Sequence, residues 1–509
     1  MLLLMDTAPE YWTLAAGLLR PANAPPPQPS GPAVCGPPEA VFDDRDDPDL
    51  ADAETEILWR VPLRVPLGGE TWYRIAPGQP DHKIKLPGPD EELRIAIAAS
   101  TAAAPDRKPL LDRSLDLWHR IANAGASSAQ GGPPHLLVHA GDLIHPDGVT
   151  TTHPFLAESF LTGRHAVSPL PDAARRAAKQ YYRACYREAW SMAARIGLAT
   201  QVPSIMVGDD RDIYDGYRGH PQRLEDTKPM AALQEIAREA FAAFQQLSPK
   251  QDQATTEDRC LDLGRASLVI PDLRARRTPN HVLGPEGLSA IGKMLASAER
   301  SPRSLCLLTV PLIGLEVARL EQTADRLGLS SHLTDHLSDQ FSARHHHGER
   351  AALLALLGAH LRRAQGPLTL VSAGARMNGL ANAQWATPPW AAAPENAADG
   401  PVLQQLHLSG MGRRPRPFWQ ALVTSLLGSR LRSAGGLEWS LQALAKPGER
   451  PKGLGPLGIG AFDPKPSALI LRLGPAPNHA AQAVWHLEKG GFRALDLPVA
   501  QPMTTSPAI

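Results

Sequence analysis

The chain is 509 residues long, 43% of them hydrophobic, with 52 basic and 52 acidic side chains. That length exceeds one small domain and leaves room for a large buried core. A formal net charge of zero argues against a nucleic-acid groove or an acidic partner, and no run approaches the ~20 apolar residues of a membrane helix.

The first residues, MLLLMDTAPEYW, hold a short apolar run without a basic flank or a twin-arginine signal, so export is not expected and the chain reads as soluble and cytoplasmic. Residues 21–38 are proline-rich and read as a linker or long surface loop. Residues 40–54 are acidic and read as solvated. Short alternating runs over 55–90 suit a small antiparallel sheet. Cys35, Cys185, Cys260 and Cys306 form no CxxC pair, which argues against a zinc knuckle and a disulfide framework and fits free thiols in a reducing compartment.

From residue 93 the pattern changes. LRIAIAAS, HLLVHAGD (135–142), VPSIMVGDD (202–210), ASLVIPD (266–272), SLCLLTVPL (304–312), PLTLVSAG (367–374) and LQQLHLSG (403–410) read as buried strands. Helices are expected at 112–124, 172–196, 286–299, 349–364 and 417–428. Beyond 430 glycine and proline rise, and SALILRLG and QAVWHLEK suit a closing hairpin. The expected organisation is a β-rich region over 1–90, an α/β core over 91–430, and C-terminal strands over 431–509 that complete or flank it. Strands alternating with helices imply a layered α/β core, whose sites gather at the carboxyl ends of the strands. Asp142, Asp209, Asp210, Asp272 and Ser372 stand at such ends.

These segments resemble, in order, the alkaline phosphatase D (PhoD-like) family of calcineurin-type metallophosphatases. AASTA, with Ser100 and Thr101, matches the Ser-Cys motif. GDLIHPDG, with Gly141, Asp142, His145 and Asp147, matches GDQxY-D. DDRDIYDG, from Asp209, matches DDHDxxDG, and DLRARR, with Asp272, Arg274 and Arg277, matches DxRxxR. The segment from Asp339 matches DQW plus helix, and SAGAR, Ser372 to Arg376, matches SGDVH. The resemblance spans roughly 90–430 and implies an αββα sandwich, here preceded by a small N-terminal β domain. It also implies two metal ions that clamp a phosphate ester and activate a water.

The departures fall on the ligands. Thr101 stands for the cysteine, Arg211 for the histidine of DDHD, and Gly374 and Arg376 for the Asp and His of SGDVH. A guanidinium is always protonated and has no lone pair for a metal. Asp142, Asp209 and Asp210 are the candidate catalytic carboxylates and, with His145, the metal ligands if a site survives. Arg211, Arg274, Arg277 and Arg376 are candidate phosphate contacts. Arg211 and Arg376 are expected to pair with the carboxylates in place of metal. Two readings result. One is a family member whose phosphoesterase activity is impaired or lost; the other is an active phosphomonoesterase or diesterase with a site rebuilt from His145, Asp147 or His139. An active centre takes divalent or ferric ions and a small phosphate ester; the substitutions leave no firm metal expectation.

Other candidates have plainer readings. His345–His347 suit a solvated helix entry, and His139 a core position. Tyr182, Tyr186 and Trp190 share one helical face, the mark of core packing rather than of a protein-binding surface, so a protein partner stays unidentified.

Overall fold

The computed structural model describes residues 1–50, 55–100, 108–124, 132–220, 222–249, 256–278, 280–313, 340–373, 377–385, 402–412, 437–442, 444, 463, 465–475, 479–488 and 491–498. The chain opens on β1 (Leu2–Thr7), β2 (Tyr11–Pro21), β3 (Glu39–Asp43) and β4 (Glu56–Pro66), followed by a two-stranded sheet of β5 (Glu70–Tyr73) and β6 (His82–Lys85). These first four strands do not make a small sheet of their own. They extend the large one, because β1 pairs in parallel with a core strand, Leu3 opposite Ser204. The opening apolar run has a physical reason: Leu2 and Leu4 enter one core and Leu3 the other, as a strand covered on both faces requires.

The acidic segment is not solvated as expected. Asp44 is buried and pairs with Arg183, while Lys179 Nζ lies 2.9 Å from Asp47 and 2.6 Å from Asp49. A strip of cations on one helix face thus holds the segment down. The proline-rich stretch is a surface loop fastened to the sheet, with Ala33 donating to Trp72 O at 3.3 Å and accepting from Arg64 N at 2.8 Å.

The core begins with β7 (Leu93–Ala98), α1 (Lys108–Ala122), β8 (Leu136–Ala140), α2 (Pro154–Thr162), α3 (Asp172–Ile196), β9 (Ser204–Val207), α4 (Gln222–Glu225) and α5 (Lys228–Gln246). Neither α2 nor α5 was expected from the sequence. The apolar positions Met230, Leu233, Ile236, Ala237, Phe241 and Phe244 of α5 recur at helical spacing and carried the signal. The second half holds β10 (Arg259–Asp262), β11 (Ser267–Ile270), α6 (Gly284–Ser297), β12 (Ser304–Leu308), α7 (His347–Arg363), β13 (Leu368–Ser372), β14 (Gly379–Trp385), β15 (Leu403–His407) and β16 (Leu437–Gln442). Then come β17 (Ser467–Leu473), β18 (Ala481–Leu487) and β19 (Phe492–Leu497). The helix expected at 417–428 lies outside the described residues.

Two large sheets result. One runs β19-β18-β17-β7-β8-β9-β1-β2-β4-β3, the other β10-β11-β12-β13-β15-β14-β16. Leu, Ile and Val side chains of both sheets, Ile95, Val138, Leu268 and Leu305 among them, share one core between the sheets. Helices α1, α2, α3 and α5 cover the outer face of the first sheet, and α6 and α7 that of the second. This is the αββα sandwich. The expected C-terminal hairpin forms as β17–β18 and joins the first sheet against β7. The Tyr182 and Tyr186 face packs in the core as expected, Tyr186 stacked on Phe244 at 5.1 Å. Among the described residues no helix is long and apolar enough to cross a membrane.

Candidate metal centre at the strand ends

The central strands β7, β8 and β9 run parallel, so their carboxyl ends point the same way and deliver Ser100, Asp142 and Asp209 to one edge. Two of these residues adopt left-handed backbone, Ser100 with φ 54° and Asp142 with φ 54°. Aspartate tolerates that region better than most residues. Gly141 is what lets the loops meet: at φ 84°, a Cβ on it would sit 2.7 Å from Asp209 Cβ.

One carboxylate oxygen from each of Asp142, Asp209 and Asp210 falls within 4.8 Å of the others. Asp142 and Asp209 are buried and Asp210 partly so. Beneath them Asp212 is the keystone. Its carboxylate accepts from the backbone N–H of Asp142 at 3.0 Å, Ile144 at 3.2 Å and Asp209 at 2.9 Å. One side chain therefore ties the β8 turn to the β9 turn. The Asp-x-x-Asp spacing of a capping box was its sequence signal, which the reading above missed.

Burial raises the Asp209 carboxyl to about 7, with repulsion from Asp210 and Asp142 adding to it and Arg274 opposing it. Arg274 binds Asp209 through Nε at 2.5 Å and reaches Asp210 through Nη2 at 3.5 Å. Thr309 Oγ1, beyond the end of β12, donates to the same Asp209 oxygen at 3.0 Å. Arg211 turns elsewhere: Nη2 lies 2.5 Å from Asp215, Nη1 3.7 Å from Asp147 and 3.4 Å from His145 Nδ1. Burial works against its charge, but Asp142, Asp215, Asp147 and Asp210 together hold it charged, above the ordinary arginine range.

The guanidinium on the Asp209–Asp210 pair is thus that of Arg274, not that of Arg211. Arg376, the second arginine expected there, lies outside the described residues, as do Thr101, Gly374 and Asp339. His145 is buried, with Nε2 3.1 Å from Ser100 Oγ. Arg277 is buried as well. Asp272 does loop work, accepting from the N–H groups of Arg274, Ala275 and Glu257. Glu257, also missed, accepts from Gly208 N at 3.2 Å and so supports the Asp209 turn from behind. Ser372 is buried against His407, Oγ to Nδ1 3.1 Å. His139 packs on Trp118, ring centroids 5.2 Å apart, and burial lowers it to about 4; it faces the helical layer. His346 and His347 bond the carbonyls of Gln340 and Ser342, and Glu349 caps α6 through Val282, Leu283 and Gly284 N–H.

A family model described as PhoD-like phosphatase matches residues 119–306, the stretch that supplies Asp142, Asp209, Asp210, Asp212 and Arg274. Over that stretch the chain is PhoD-like. A solved structure of PhoD is similar to it with a TM-score of 0.53 and 11% identity, over 99% of this chain and 92% of that one. A purple acid phosphatase, PPD1, from yellow lupin (Lupinus luteus) seeds is similar with a TM-score of 0.51 and 13% identity, over 97% and 73%. No curated protein matches the chain. At these identities the structural likeness speaks for the metallophosphatase fold.

The donors of this PhoD-like domain fit one hard cation. Three carboxylates converge among the described residues, an oxygen-only set suited to ions such as Mg²⁺, Mn²⁺ or Ca²⁺. Among the described residues a second ion finds less. Arg274 occupies the Asp209–Asp210 flank, and the position after Asp210 is a guanidinium that cannot ligate.

Proposed function

We propose that this PhoD-like domain keeps a single cation corner and has impaired or lost two-metal phosphoester hydrolysis. The observation that carries the reading is the Arg274 guanidinium on Asp209 and Asp210, together with Arg211 in place of an imidazole. A two-metal centre needs donors around each ion, and a fixed positive charge beside shared carboxylates competes with the second one. Among the described residues, Asp142, Asp147, Asp209, Asp210 and Asp215 outnumber the guanidiniums of Arg211 and Arg274 around the site. A phosphate ester is therefore repelled unless a cation is present. Asp142, Asp209 and Asp210 would hold that ion, which supplies a Lewis acid for a phosphoryl oxygen. Asp212 and Glu257 keep the two turns in place, Arg274 fixes the orientation of Asp209, and Arg211 holds the Asp147 and Asp215 loops together. We further read the protein as cytoplasmic, supported by four free cysteines, and as taking a small phosphate ester rather than nucleic acid if it turns over at all.

The test is metal analysis of the purified protein with hydrolysis of an aryl phosphate in added manganese, iron or calcium. At most one ion per chain and no turnover above the Asp142→Asn background are expected. Two ions per chain with turnover abolished by Asp142→Asn overturns the proposal and restores the rebuilt, active centre.

A further inference from the structure

Between the last turn of α1 and the β18–β19 hairpin lies a cavity of about 410 Å³, within the range of small-molecule sites. Its position follows from the topology. Helix α1 packs over β17 and β18, while β19 is the edge strand beyond them. His486 and Phe492 pair across the hairpin, their rings stacked with centroids 6.5 Å apart. His486 shares the helix-facing side with Val484, two residues before it. Phe492 adds apolar wall, the Leu487 backbone lines the floor, and His119 and Arg120 close the side formed by α1.

The charge in this cavity is one-sided. The half-buried Arg120 donates Nη1 to Leu487 O at 3.3 Å, and among the described residues no carboxylate pairs with it. Among the described residues no acidic side chain lines the cavity. Basic residues in a last helical turn commonly serve the helix's own carbonyls. Here Asn123 Nδ2 does that, bonding His119 O at 2.8 Å, while Arg120 reaches across to the hairpin. A permanently charged fork beside a stacked aromatic pair is a receptor for an anion that carries a flat apolar body.

We propose that this cavity binds a small aromatic anion, its charged group on Arg120 and its ring against Phe492 and His486. The site is separate from the carboxylate cluster and does not depend on whether that cluster is active.

Benzylphosphonate, whose P–C bond resists phosphatase chemistry, is the probe, titrated by calorimetry into the full chain. Arg120→Gln is expected to weaken binding about tenfold or more. Phe492→Leu should weaken it roughly threefold, and inorganic phosphate should bind roughly tenfold more weakly than the probe. Asp142→Asn should leave binding unchanged. Unchanged affinity in Arg120→Gln, equal binding of phosphate, or loss in Asp142→Asn overturns the assignment. If Arg120→Gln does not fold, a soaked wild-type crystal decides: the probe between α1 and the hairpin upholds the site, and its absence there refutes it.

Discussion

Removing the Asp212 carboxylate should unfasten the two turns that carry the acidic trio. The side chain is buried and accepts from Asp142, Ile144 and Asp209 N–H. In Asp212→Ala those three donors lose their acceptor in a buried site, and each buried donor left unsatisfied costs roughly 1–3 kcal/mol. Part is returned, because burial and the nearby Asp142 push the Asp212 carboxyl well above its ordinary range, so a carboxyl that is costly to ionise also leaves. We expect a net loss of about 3 kcal/mol, read as a shift in urea midpoint at constant slope. Asp212→Asn keeps one oxygen and removes the repulsion, so it should lose about half as much. The Ala variant should also bind Mn²⁺ at least tenfold more weakly, because Asp142 and Asp209 are no longer held together. A midpoint shift worth under about 1 kcal/mol in Asp212→Ala, with Mn²⁺ affinity intact, would refute the keystone role.

Arg274→Met leaves Asp209 without its 2.5 Å partner and should cost roughly 3 kcal/mol; added Mn²⁺ should then stabilise the variant more than the parent, as thermal melts with and without the ion will tell. Burial, reinforced by Asp272, raises the Glu257 carboxyl from 4.5 to about 8. Between those values the folded state keeps a proton that the unfolded chain has lost, so stability falls as pH rises through the window. Glu257→Gln should flatten that slope between pH 5 and pH 8, and urea midpoints at the two ends give the answer. Lys179→Met takes the ammonium from Asp49 and leaves Asp47 to Arg183 Nη2 at 3.8 Å, and should cost about 1–2 kcal/mol and speed proteolysis near residue 47; an unaltered cleavage rate would mean that the clasp contributes nothing.

Much of the scaffold was readable because its strands are buried on both faces and therefore spell continuous apolar runs, as in LRIAIA and HLLVHA. The turns after them, GD and GDD, mark the site because parallel strands put their carboxyl ends on one side. The N-terminal run was harder: MLLLMDT carries no sign of its partner, and only the pairing of Leu3 with Ser204 makes it part of the large sheet. Likewise DDRDDPD is indistinguishable from a solvated acidic loop until Lys179 and Arg183 are seen beneath it.

The chain's own order of residues decided the α/β layering, the strand ends that bear Asp142, Asp209 and Asp210, and the presence of arginines among them. These are local properties, set by periodicity and turn chemistry within a few residues. Which guanidinium meets which carboxylate was decided by folding alone. Arg274 is 65 residues from Asp209, and only the facing of two separate sheets brings it there, while the nearer Arg211 is drawn off by Asp215, four residues along. Charge pairing is settled by distance in space, and at that range the sequence carries no measure of it.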